Sequence, residues 1–107
     1  MDENFVIIIV TCCSKKEAQK IAACILKKKL AACANIISGV CSKFWWNGRI
    51  DSAKETILMI KTLRSRFKKI EVAVKSLHSY EVPEIIAIPI LSGSRDYLNW
   101  IDESIKA

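Results

Sequence analysis

Phe44-Trp45-Trp46-Asn47-Gly48-Arg49-Ile50 is a hairpin tip. Asn47 and Gly48 both tolerate positive φ, which the tightest two-residue turns require, and this dipeptide is the strongest short-range hairpin signal a sequence carries. The arms run outward from it over residues 34–46 and 50–62, 13 residues each. At ~3.3 Å per residue each arm spans about 43 Å. A chain of 107 residues packed as one globule has a radius of gyration of about 13 Å and is only about 35 Å across. The hairpin is therefore expected to outrun its own domain, with Phe44, Trp45, Trp46 and Ile50 at its tip. Such an apolar patch is not left wet on a soluble monomer. Copies of the chain are expected to cover it, in a homo-oligomer resistant to heat.

The flanks complete a topology. Phe5–Thr11 is a continuous apolar, β-branched run, the pattern of a strand buried on both faces. Ser14-Lys15-Lys16-Glu17 is a capping box that opens a helix. Ala18, Ile21, Ala22, Ile25 and Leu26 follow at helical spacing, with an end expected near Leu30. Gly39 marks a bulge in the outgoing arm. Thr56-Ile57-Leu58-Met59-Ile60 is the buried part of the returning arm. A second helix is expected from about Ser65 to Leu77, with Phe67, Ile70, Val74 and Leu77 as its stripe. After a loop over 79–83, Ile85–Leu91 reads as a fourth strand, in which Pro89 demands an edge position or a bulge. Ser92 or Ser94 caps a last helix reaching about Ser104, with Leu98, Ile101 and Ile105 inward. The order is that of an α+β, ferredoxin-like βαββαβ sandwich: a four-stranded antiparallel sheet, helices on one face, a long hairpin and a terminal helix. Residues 1–107 are expected to form a single domain.

Composition removes several function classes. The six apolar residues Phe5–Val10 are too few for a bilayer span or a secretory signal, so a cytoplasmic location with no membrane contact is expected. The five cysteines are odd in number and contain no Cys-x-x-Cys, which argues against a disulfide framework or a zinc knuckle. The net charge is +6, with lysines grouped at 15–16, 27–29 and 68–69. A solvated surface explains them at helical periodicity; a nucleic-acid footprint is the sharper alternative. Among modules of this topology, RNA binders carry aromatics on the central strands, and residues 54–62 have none, so a single-stranded RNA partner is not expected. No nucleophile elbow, P-loop or dinucleotide motif is present, and no catalytic residue is assigned. An acylphosphatase-like anion nest would need Gly and Arg, both missing from Thr11-Cys12-Cys13-Ser14.

Five ordered stretches then resemble one family: Lys29-Leu30-Ala31-Ala32-Cys33-Ala34-Asn35-Ile36, the hairpin tip, Glu55 with Met59-Ile60-Lys61-Thr62, Tyr80-Glu81-Val82-Pro83-Glu84-Ile85, and Tyr97-Leu98-Asn99-Trp100-Ile101. The chain resembles the CutA family of divalent-ion tolerance proteins over nearly its whole length. The resemblance implies a homotrimer of ferredoxin-like subunits whose hairpins complete intersubunit sheets, and a non-catalytic role in metal response. It implies Cu²⁺ or another divalent cation, weakly held, as the cofactor. The family's proposed ligands are a cysteine late in the first strand and two adjacent histidines ahead of Tyr-x-x-Pro-Glu. Here Val10 and Leu77 fill two of those three positions.

The donors that remain are His78, the only histidine, and Cys12 or Cys13. The two cysteines alternate in direction if the strand continues, so one at most faces the site. A helix N-terminus and Lys15-Lys16 beside them favour a thiolate. Glu55, Lys61, Tyr80, Pro83, Glu84, Tyr97 and Trp100 fall in the resembling motifs. They suit an intersubunit cleft for a metal ion or a small anionic ligand, or else an interface network of salt bridges and packing. Trimers of this subunit type also resemble PII-type signalling proteins, which makes small-ligand sensing the alternative function.

Overall fold

The Asn47-Gly48 turn forms with φ +49° and +78°, in the left-handed region at both positions. This computed structural model describes residues 4–106. Strands β2 (Cys33–Trp46) and β3 (Arg49–Leu63) run antiparallel from the tip, pairing Trp46 with Arg49 and Cys33 with Lys61. Their register shifts between Ile37 and Val40, where Gly39 has φ +77° and supplies the bulge. The molecule is 45 Å long and only 26 by 23 Å across, so the hairpin does outrun the body.

Strand β1 (Phe5–Cys12) pairs antiparallel with β3 on one side and with β4 (Ile85–Pro89) on the other, giving the sheet order β2-β3-β1-β4. Pro89 thus lies in an edge strand, where its missing donor costs no ladder bond. The fourth strand stops there, short of Leu91, which is 99% exposed.

Ser14 caps helix α1 (Lys15–Lys27) by accepting the Glu17 N–H at 3.1 Å. The helix ends three residues earlier than its apolar spacing suggests. Lys29 takes φ +59°, Leu30 N–H reaches the Ile25 carbonyl and Lys29 N–H the Leu26 carbonyl, both at 3.0 Å. This is a Schellman stop, with buried Leu30 as its apolar lock. A 3-10 turn at Arg64–Arg66 precedes helix α2 (Phe67–Leu77), and Ser94 accepts the Tyr97 N–H at 3.3 Å to open helix α3 (Arg95–Lys106).

Helices α1 and α2 cover one face of the sheet. Val6, Ile8, Val10 and Cys12 of β1 meet Ile21, Ile25, Ile70 and Val74 there. The terminal helix does not join them. Its Ile101 and Ile105 pack on Leu63, beside Phe5, residues that point to the other face. The rest of that face is open. Ile7, Ile9, Ile57 and Met59 are half-buried, and Ile37, Ile86 and Ile88 are 45–47% exposed. Within this chain β1 is therefore buried on one face only, although its apolar run is continuous. No described helix is long and apolar enough to cross a membrane.

Candidate functional site

Three donor-bearing side chains converge where β1 runs into α1 and α2 ends. Sγ of Cys12, a carboxylate oxygen of Glu17 and a ring nitrogen of His78 all lie within 4.8 Å of one another. Cys12 is fully buried and the His78 side chain is 0% exposed. Cys13 points out to solvent, with its thiol 3.8 Å from the Ser14 hydroxyl. Of the two cysteines, then, Cys12, the last residue of β1, meets His78, and Cys13, just past the strand's end, turns away. Val10 is in the core, and Leu77 packs against it.

Hydrogen bonds fix the cluster. His78 Nε2 lies 2.7 Å from the Thr11 carbonyl, and a carbonyl can only accept, so Nε2 carries the proton. Nδ1 accepts the Tyr80 N–H at 3.0 Å. Both ring nitrogens are thus engaged in the neutral ring. Burial pushes the Cys12 thiol up to about 12, and the nearby Glu17 charge adds to that.

Glu17 is the member that sequence reasoning took only as a capping residue. Its carboxylate accepts the Cys13 N–H at 3.1 Å and the Ser79 N–H at 2.9 Å, tying the start of α1 to the loop after α2. Burial alone would raise its pKa; bonds from the Ser79 side chain and from the Cys13 and Ser79 amides outweigh that and hold it below the usual value. A carboxyl depressed in this way contributes its stability above the unfolded pKa of about 4.3, and the contribution is lost as pH falls through the folded value. Glu17→Gln is therefore expected to be less stable at pH 7 and to show a shallower acid limb in urea midpoints measured from pH 7 to 3. Parallel limbs would contradict this origin.

A cleft of ≈ 870 Å³ opens beside the cluster, between the hairpin overhang and the loop before β4. The Tyr80 hydroxyl donates to Glu55 at 2.6 Å, and the Thr11 hydroxyl to Glu84 at 2.7 Å. Burial, then the Glu55 bond, push the Tyr80 phenol above its usual range, so it stays a neutral donor. Pro83 sits in the loop between Tyr80 and Glu84. Asp51 and Glu81 add two more carboxylates, against Lys43 as the one cation in the lining among the described residues. That charge does not suit the small anion expected for this cleft.

Lys61, Tyr97 and Trp100 do not join Glu55, Tyr80 and Glu84. Lys61 is six residues along β3 from Glu55, with its ammonium 5.7 Å from the centre of the Tyr97 ring, and Tyr97 packs on Trp100 at 5.5 Å. The seven residues form two groups at opposite ends of the open face. At the tip, Trp45, Trp46 and Ile50 are 72, 57 and 66% exposed and Phe44 is 37% exposed.

A ferredoxin-like fold with an overhanging hairpin of this kind falls in the class of small divalent-cation tolerance proteins. The family model described as CutA1 divalent ion tolerance protein matches residues 6–104, and the chain belongs to that family. The divalent-cation tolerance protein CutA of Thermus thermophilus is 43% identical over 84 residues, 78% of this chain and 82% of that protein. A CutA of Oryza sativa, named as chloroplastic, is 41% identical over 87 residues, 81% of this chain and 49% of the relative. The solved structure of a CutA from Archaeoglobus fulgidus, named as periplasmic, superposes with a TM-score of 0.91 at 44% identity, covering 94% of this chain and 98% of that one.

Proposed function

We propose that the chain works as a non-catalytic homotrimer that takes up a divalent cation, Cu²⁺ foremost, at Cys12, Glu17 and His78. The approach of these three donor atoms to within 4.8 Å carries the reading. One thiolate, one carboxylate and one imidazole suit a borderline cation better than a hard one. Uptake costs the Cys12 proton and one of the two His78 hydrogen bonds, so binding is weak and falls with pH. The trimer rests on the open apolar sheet face and on the uncovered tip at Phe44, Trp45, Trp46 and Ile50. In it the aromatic-walled, acidic cleft lies at a subunit boundary, where Glu55, Tyr80 and Glu84 on one side and Lys61, Tyr97 and Trp100 on another supply complementary groups. The protein works in the cytoplasm.

The test is calorimetric titration with Cu²⁺ in reductant-free buffer at pH 7, with Zn²⁺ as a control that does no redox chemistry with thiols. Cys12→Ala is expected to weaken both metals about tenfold or more, while Cys13→Ala leaves Zn²⁺ affinity unchanged. Equal affinity in wild type and Cys12→Ala would remove this cluster as the site.

A further inference from the structure

At the far end of the helical layer from the cation cluster, α2 and the C-terminal turn of α1 enclose a groove of ≈ 420 Å³. Lys28, Lys68 and Lys69 line it, over an apolar wall of Leu30, Val72 and Ala73. Lys27 and Lys29 are exposed beside Lys28. Cations at the end of α1 are ordinary, because they complement the negative end of its dipole. Those at the start of α2 are not. Lys68 and Lys69 stand in its first turn, where the dipole is positive. That turn has no acidic residue, no side-chain cap bond is made at Arg66, and Arg64 lies just upstream. Glu71 pairs with Lys68 at 3.6 Å and Lys75 at 3.4 Å, but among the described residues Lys28 and Lys69 have no ion-pair partner. Lysines from two helix ends therefore line one groove, and among the described residues Glu71 is the carboxylate paired at that end of α2.

We propose that this groove is a docking site for a compact, multiply charged anion of the phosphate class. A phosphate-rich ligand would neutralise the lysines and the positive end of α2 together. Among the described residues the groove is lined by no aromatic side chain on which a base could stack; the exposed Trp45, Trp46, Tyr97 and Trp100 lie on the hairpin and α3. This favours a small polyanion over single-stranded nucleic acid. The site is independent of the cation cluster and lies on the helical side, away from the open sheet face.

The probe is tripolyphosphate, titrated calorimetrically into the assembled protein at 50 and 200 mM salt. Wild type is compared with Lys28→Gln/Lys69→Gln and with Lys15→Gln/Lys16→Gln, which makes the same charge change at the other end of α1. The groove variant is expected to bind about tenfold more weakly and the control less than twofold, with affinity falling as salt rises. Equal losses in both doubles would assign binding to diffuse net charge and overturn the site. So would no wild-type binding below about 1 mM. So too would a single-stranded oligonucleotide that binds more tightly than tripolyphosphate and is indifferent to Lys28 and Lys69.

Discussion

Ile9→Asp is expected to abolish the proposed trimer. Ile9 stands in the central strand β1, on the face that α1 and α2 leave open, with Met59 beside it on β3 and Ile86 on β4. If three copies bury that face, each brings one carboxylate into an apolar contact with no partner. An unpaired buried charge costs several kcal/mol even after relaxation, and symmetry repeats it three times. The mass in solution should fall from three times the 12.1 kDa subunit toward a single subunit or non-specific aggregate. The melting temperature should drop from above the ordinary ~45–65 °C range into or below it, since assembly no longer adds stability by mass action. Trp46→Asp at the hairpin should act in the same direction. Val72→Asp is the control: Val72 is 70% exposed on the outer side of α2, and its replacement should leave the mass unchanged. An Ile9→Asp protein of wild-type mass would move the contact elsewhere.

His78→Ala is expected to cost about 2–4 kcal/mol of stability, beyond any effect on metal. The ring is 0% exposed, and its two nitrogens hold the end of β1 through the Thr11 carbonyl and the following loop through the Tyr80 N–H. Truncation leaves both groups without their partner and opens a space between β1 and α2. The Tyr80 to Glu55 bond, which closes the floor of the cleft, depends on the same loop. Urea unfolding should show the loss, and hydrogen exchange should rise at residues 78–84. Stability within ~0.5 kcal/mol of wild type would mean that the ring does not clamp the loop. Loss of metal binding in this variant alone therefore does not identify a ligand, which is why Cys12→Ala carries that test.

Local chemistry made much of the fold legible. Asn47-Gly48 fixed the turn, Ser14 the start of α1, Gly39 the bulge and Pro89 the edge, because each acts within a few residues of itself. The end of α1 escaped because Leu30 is apolar at helical spacing yet belongs to the Schellman lock beyond the helix. The side taken by α3 escaped because periodicity shows which residues of a helix turn inward, not which face of a sheet receives them. At the site, Cys12 and His78 were visible as donors, but Glu17 joins them through a loop 62 residues away in sequence, at the Ser79 amide. Its capping-box spacing gave a complete local explanation and hid the second role. That Glu55/Tyr80/Glu84 and Lys61/Tyr97/Trp100 lie apart within one subunit was not legible, because motif order carries no distance.

The measurement that bears most directly on this account is the mass of the wild-type protein by light scattering coupled to size exclusion, from micromolar concentration upward. Three times the 12.1 kDa subunit mass, unchanged on dilution, is the predicted result. A particle of one subunit mass, folded and soluble, would contradict it, since the open face over Ile7, Ile9, Ile57 and Met59 would then be stable in water.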